Sequence, residues 1–230
     1  MTLILTSLLA GIVAIAATVA VERLGGRLGG LIATLPTTIV PATWGFWAVS
    51  EGVPVKVLAA VPMGMLVNAG FLWCWRVIPP LLPSWSMSKR LGAMVTLSLS
   101  TWMLLALLSM FIGTTEIASP ITLGLVALGL HILLGLYTTW HFRPSPKGTR
   151  HVTPLALLSR GVLAAAAVAI SILIASSGFE VAAGIASVFP AIFLTTMVSL
   201  WWSQGQAVPL GAVGPITLGS IVVSVYALLA

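Results

Sequence analysis

Apolar residues run along this chain in blocks of about twenty, and polar residues are largely confined to the short gaps between them. Crossing roughly 30 Å of hydrocarbon takes about 20 mostly apolar residues. On that measure the pattern predicts eight transmembrane helices, over residues 2–21, 28–49, 54–78, 91–112, 118–140, 154–177, 181–202 and 207–229. The gaps carry turn chemistry: Gly25-Gly26 after the first block, Pro79-Pro80 and Pro83 after the third, and Pro144, Pro146 and Gly148 in the polar loop from Arg143 to Thr153. The expected architecture is all-α, one polytopic membrane domain over residues 1–230.

The pattern also repeats. Gly29-Gly30-Leu31-Ile32-Ala33-Thr34-Leu35-Pro36 reads like Ala183-Gly184-Ile185-Ala186-Ser187-Val188-Phe189-Pro190. The match continues through Trp47 and Trp201 and, after one inserted residue, through Pro54 and Pro209 to Gly64 and Gly219. This divides the chain into units of about 2–78 and 154–229, spans 1–3 and 6–8, linked by two unmatched spans over about 91–140. The first spans of the two units lie five crossings apart, an odd number, so the units face opposite ways as an inverted-topology repeat. Pro36 and Pro190 each follow a glycine, Gly30 or Gly184, by six residues, about 9 Å of helix. The breaks expected there approach the bilayer middle from opposite faces, as in transporters built from inverted repeats.

Charge fixes the expected orientation. Arg23, Arg27, Arg76, Lys89, Arg90, Arg143, Lys147, Arg150 and Arg160 fall on one side of the eight-span topology, and only Lys56 on the other. Basic residues mark the cytoplasmic side, so both termini are expected outside the cytoplasm. The start, Met1-Thr2-Leu3-Ile4, lacks a basic n-region, which favours a retained span over a cleaved signal peptide.

Composition agrees and excludes several functions. Charged residues are 6% of the chain and hydrophobic ones 59%, whereas soluble domains carry about 25% charged residues. The net charge of +6 is therefore a topology signal and not a nucleic-acid footprint. Cys74 is the single cysteine, which excludes an internal disulfide and thiolate clusters. No His and carboxylate grouping has metal-ligand spacing, and no cofactor motif is present. A membrane enzyme is disfavoured too, since neither a nucleophile–base arrangement nor paired interior acids occur.

At the two proline segments the chain resembles the GlpM-type family of very small bacterial membrane proteins. The shared pattern is a small residue, Gly, four further positions, an aromatic residue or Leu, then Pro and a hydrophobic run ending in Gly. It covers Gly30 to Gly52 and Gly184 to Gly205, closest at Phe189-Pro190-Ala191-Ile192-Phe193. Family members are about half this length, with three or four spans, so the resemblance implies a fused pair. Spans 4 and 5 have no counterpart in it, and Leu35 replaces the aromatic in the first copy. The resemblance implies a bacterial inner membrane and no established chemistry.

The candidate site follows from the breaks. A proline in a membrane helix frees a backbone carbonyl, which must find a partner in the protein or in a wet cavity. Pro36, Pro41 and Pro190 are the expected helix breaks, and Thr37, Thr38, Thr195 and Thr196 the hydroxyls expected to line a pathway between spans 2 and 7. The bland alternative is a kinked helix whose threonines bond their own carbonyls. Asn68 and His131 are the buried polar groups inside spans 3 and 5, either pathway members or interhelical hydrogen-bonders. Arg23, Arg27 or Arg160 could contact an anion, though plain positive-inside topology is the favoured account of them. Trp73, Trp75, Trp85, Trp140, Trp201 and Trp202 are assigned to interfacial belts, and Trp44, Trp47 and Trp102 to deeper packing or to lining a pathway, with packing favoured.

The expectation is a small inverted-repeat transporter, not an enzyme, moving a neutral or anionic solute without cofactor or metal. The alternatives are a lipid-carrier translocase and a scaffold or assembly subunit. The implied partners are the lipid bilayer and a small solute or lipid, with room for a homodimer and none for nucleic acid.

Overall fold

A computed structural model of the chain describes residues 2–24, 36, 38–50, 54–115, 117–141 and 153–230. These residues form helices α1 (Thr2–Leu24), α2 (Ile39–Val49), α3 (Val55–Val77), α4 (Met87–Thr114), α5 (Pro120–Trp140), α6 (Pro154–Ser176), α7 (Glu180–Ser187), α8 (Ala191–Gln204), α9 (Ala207–Gly219) and α10 (Ile221–Leu229). A short 3-10 turn, Pro79–Leu81, follows α3, and no strand occurs among the described residues. Local chemistry sets several ends. Ser119 Oγ accepts from Thr122 N at 3.2 Å ahead of Pro120, and Thr153 Oγ1 accepts from Ala156 N at 3.3 Å ahead of Pro154. Both are capping hydroxyls followed by a proline whose missing N–H costs nothing in the first turn. Gly178 (φ 84°) and Gly205 (φ 85°) turn the chain after α6 and α8 in a left-handed conformation that suits glycine.

Six segments are long and apolar enough to cross a membrane: α3, α4, α5, α6, and Glu180–Trp202 and Ala207–Leu229 taken across their interruptions. Leu3–Val19 and Ile39–Val49 are shorter apolar helices. The chain is an all-helical integral membrane protein. Its outer surface fits that: Leu104, Leu107, Leu108 and Phe111 of α4 and Leu125, Leu133 and Leu136 of α5 are exposed. Such a surface is costly in water and matched to lipid.

The centre is α3. Of its apolar window 83% is buried, against 17% for α4, as expected of a helix that is apolar all round. Glycines let its neighbours close on it. A Cβ on Gly184 of α7 would collide with Val57 O, and one on Gly124 of α5 would meet Ala59 O at 2.7 Å. Small residues at such crossings replace the hydrophobic drive that lipid cannot supply between helices. Contacts along α1 and α6 step from Gly11–Ala165 through Ile15–Gly161 to Thr18–Arg160, so these helices run antiparallel. The contacts Gly124–Leu228, Gly135–Leu218 and Thr138–Gly214 make α5 antiparallel to α9 and α10 in the same way.

The described ends carry opposite chemistry. Arg76 closes the C-terminus of α5, donating from Nη1 to Thr138 O at 2.7 Å and from Nη2 to His141 O. Arg90 ties the 3-10 turn to Gln206, donating from Nη2 to Pro79 O at 2.8 Å and to Gln206 Oε1 at 2.9 Å. At the other end Lys56 pairs with Glu180 at 3.5 Å in the first turns of α3 and α7.

Several expectations change. The span expected over 28–49 is described only from Pro36 onward, and its helix is Ile39–Val49. The span expected over 181–202 is two helices, α7 and α8, separated by Val188, Phe189 and Pro190. The span expected over 207–229 is α9 and α10, meeting at Ser220 in a tight turn where Val223 N bonds Ser220 O at 3.2 Å. Pro41 does not break α2. It occupies the first turn, where no intrahelical acceptor awaits its missing N–H. Trp75 and Trp201 are not belt residues: they are 0% and 2% exposed and pack edge-to-face at 5.9 Å. Trp44 and Trp47 point outward instead, 54% and 50% exposed.

Candidate functional site at the interrupted helices

A cavity of about 330 Å3 lies where the two interrupted spans meet. Its wall takes Ser187 through Phe193 from the α7–α8 junction, and Gly219, Ser220 and Val223 from the α9–α10 junction. Met65 and Asn68 of α3, Ala164 and Ala167 of α6, Pro215 and Ile216 of α9, and Thr38 ahead of α2 complete it. The lining is mainly apolar, with the polar groups of Thr38, Asn68, Ser187 and Ser220 set into it. Few polar groups in an apolar concavity is the usual composition of a small-molecule site.

The α7–α8 junction shows how such a site is held open. Pro190 has no N–H, and it disfavours helical backbone at the residue before it. Helix α7 therefore ends at Ser187, and Phe189 N bonds back to Ala186 O at 3.0 Å. This leaves Val188 O without a helical donor, and Asn68 Nδ2 supplies one at 2.7 Å. Asn68 Oδ1 in turn accepts from Trp102 Nε1 at 2.8 Å, and the Trp102 ring stands edge-on to Phe189 at 5.2 Å. Asn68 is 1% exposed and Trp102 6%. In a medium without water each of these bonds replaces a desolvation cost of about 1–3 kcal/mol per group. The side-chain amide thus fixes the interruption from α3 while α4 fixes the amide.

At the second junction Ser220 Oγ donates to Thr217 O at 2.9 Å. The same carbonyl accepts from His131 Nε2 at 3.0 Å, and Ser220 Oγ lies 3.3 Å from that nitrogen. Bonding to a carbonyl assigns the proton to Nε2. His131 Nδ1, buried, has no hydrogen-bond partner among the described residues.

One turn beyond the cavity, toward the Arg76 and Arg90 end, lies the Arg160 guanidinium. It donates from Nε to Thr195 Oγ1 at 3.1 Å, from Nη2 to Thr196 Oγ1 at 2.8 Å and from Nη1 to Thr18 Oγ1 at 2.7 Å. These bonds tie α6 to α8 and α1. Two of the hydroxyls pass the network to backbone carbonyls: Thr195 donates to Ala191 O at 2.8 Å and Thr18 to Ala14 O at 2.8 Å. Arg160 is 6% exposed, although an arginine six residues into its helix could snorkel to the interface.

The residues singled out in the sequence are therefore distributed. Thr38, Asn68 and Pro190 line the cavity. Thr195 and Thr196 stand beneath it on Arg160. His131 is behind the wall, reached through Ser220. Pro36 precedes α2, with Val40 N at 3.4 Å from its carbonyl, and Thr37 lies outside the described residues, as do Arg27 and the glycines from Gly25 to Gly30. Ser187 and Ser220 were not anticipated as site residues. The pair Gly219-Ser220 after Pro215 was the available signal for the second junction. Among the described residues no three His, Cys, Asp or Glu side chains gather as a metal site. Comparison with family models, with characterised proteins and with solved structures returned no significant match to the chain.

Proposed function

We propose that the protein is a small inverted-repeat transporter whose solute site is the cavity between the two interrupted spans. The observation that carries this reading is the convergence of both interruptions on one cavity, with Asn68 holding the carbonyl that one of them frees. Irregular backbone at membrane depth is tolerated where it lines a cavity or is buried in protein, and discontinuous helices at a repeat interface are how transporters build midplane sites. Support for the repeat comes from α1 and α6, the opening helices of the two units. They run antiparallel, and Gly11 packs against Ala165. That pair has the same spacing along the chain as Pro36 and Pro190. A residue that touches its own counterpart between antiparallel helices lies close to a two-fold axis. In this reading eight crossings place Arg76, Arg90 and Arg160 at the cytoplasmic end, Lys56 at the opposite end, and both termini outside the cytoplasm.

A second reading, a lipid-carrier translocase, is favoured by one feature: the wall is mainly apolar and includes Pro215, which is exposed. Acyl chains entering from the bilayer would need no polar path.

Cysteine accessibility separates the two. On a Cys74→Ala background, cysteines at Thr38, Ser187 and Ser220 should react with a membrane-impermeant thiol reagent in sealed vesicles, with Thr195 and Thr196 reacting more slowly from the opposite side. If the three cavity positions stay inert to hydrophilic reagents while a lipid-soluble maleimide modifies them, the aqueous pathway is wrong and the lipid reading replaces it.

A further inference from the structure

We propose that the cavity selects its solute by a hydrogen-bond donor: Ser187 and Ser220 are fixed acceptors on its wall, and Thr38 is an adjustable polar contact. The proposal rests on the transporter reading and narrows the solute to an alcohol or primary amide on a small apolar body.

The assignment comes from where each hydroxyl proton is committed. Ser187 Oγ lies 2.7 Å from Gly184 O, and Ser220 Oγ lies 2.9 Å from Thr217 O. A carbonyl oxygen has no proton to give, so the serine donates in both bonds. A hydroxyl carries one proton and two acceptor lone pairs, so lone pairs are what these serines have left for a solute. Ser187 closes α7 and Ser220 joins α9 to α10, so the two interruptions themselves set the orientation of both groups. Asn68 offers nothing further: its Nδ2 donates to Val188 O and approaches Met65 Sδ at 3.6 Å, while its Oδ1 accepts from Trp102. Thr38 differs. It precedes α2 without a capping bond from its hydroxyl, which can turn to donate or to accept.

Backbone supplies the complementary donors. In the first turn of α8, Ala191 N bonds Phe189 O and Leu194 N bonds Pro190 O, which leaves the N–H groups of Ile192 and Phe193 without an acceptor in their own helix. Both residues line the cavity. A solute oxygen is therefore met whether it belongs to an alcohol, an amide or an ether. The serines discriminate among these. A group with an O–H or N–H pairs with their lone pairs, whereas a pure acceptor sets lone pair against lone pair. Polar groups left unpaired are what make a hydrogen-bonding site selective. The rest of the wall is mainly apolar, and a volume of about 330 Å3 exceeds the roughly 150 Å3 that holds a benzene ring. A ring bearing a short polar head fits that space.

The experiment uses two isomers, benzyl alcohol and anisole, titrated by calorimetry against the full-length protein in nanodiscs of neutral lipid, with empty nanodiscs as the blank for partitioning. Both accept a hydrogen bond, and only the alcohol donates one. The wild type should bind benzyl alcohol at least about fivefold more tightly than anisole. Ser187→Ala combined with Ser220→Ala should erase that preference while anisole affinity holds, which shows an intact cavity. Thr38→Val should weaken both isomers alike and keep their ratio, because its hydroxyl serves either one. If the double variant does not fold, Ser220→Ala alone should lower the preference about twofold or more. In that variant Thr217 O keeps its bond from His131 Nε2 at 3.0 Å, so the junction stays satisfied. Equal affinity for the isomers in the wild type, a preference that survives loss of the serines, or one abolished by Thr38→Val alone overturns the donor selection. Equal binding of both isomers leaves the transporter reading standing, whereas binding of neither, together with inert cavity cysteines, removes both.

Discussion

Asn68 illustrates how a single amide can decide whether an interruption in a membrane helix is tolerable. Its donor meets Val188 O and its acceptor meets Trp102 Nε1, at 2.7 and 2.8 Å, with both residues buried. Asn68→Leu orphans one carbonyl and one indole N–H in a medium without water. Thermal unfolding in detergent should show a loss of roughly 2–5 kcal/mol. Trp102→Phe should cost less, because it orphans only the amide oxygen. The two changes share one network, so the double variant should cost clearly less than their sum. Full additivity would mean that Asn68 and Trp102 do not cooperate. His131 is the residue-scale counterpart at the second junction, where its ring donates to Thr217 O. Of the two readings of that histidine, bonding to a backbone carbonyl is the geometry observed.

Helices are held here by close approach more than by the shape of large side chains. Gly184 brings α7 onto α3 with Val57 O where a side chain would begin, and Gly64 returns the contact with Val188 Cγ2 at 2.5 Å from a notional Cβ. Backbone cannot step aside as a flexible side chain can. Gly184→Ala should therefore push α7 off α3, costing about 1–3 kcal/mol and loosening the Asn68–Val188 bond above it. Gly92 of α4 has nothing within 4 Å, so Gly92→Ala should hold or slightly raise stability through helix propensity. Equal unfolding temperatures for the two variants would contradict this packing account. Element legibility was uneven for a related reason. The extents of α3, α5 and α6 follow from apolar length, and the interruption at Pro190 from a missing N–H. The turn at Ser220 is marked only by Gly219-Ser220 after Pro215, a weaker signal than a proline at the break itself. Pro41, a stronger local marker, sits in a first turn where the missing donor is harmless.

Among the described residues, the hydrogen-bonded and paired charges are sorted by end. Arg76, Arg90 and Arg160 share one end through bonds to Thr138, His141, Pro79, Gln206 and the threonines, and the Lys56–Glu180 pair lies at the other. With basic residues facing the cytoplasm, a phosphatase reporter fused at the C-terminus should be active and a fluorescent protein fused there dark. The opposite pattern would invert the proposed orientation. The predominantly exposed apolar faces of α4 and α5 give these two helices a lipid-facing surface.

The sequence alone determined that the chain crosses a membrane, where most crossings start and stop, and where one of them is interrupted. Each of these depends on properties local to a stretch of residues: transfer free energy summed over about twenty positions, or one proline's missing donor. Only the tertiary structure decided which sides of those helices face inward. When nearly every position is apolar, lipid and protein interior are equivalent solvents, and no polar–apolar alternation marks the buried face. Hence Trp75 and Trp201 read as interfacial and are buried, and Arg160 read as topology and clasps Thr18, Thr195 and Thr196. Asn68 read as a generic interhelical donor, yet its partner is a carbonyl 120 residues away. Those choices are made by steric fit between helices, which brings distant residues together and leaves no signature in any one segment.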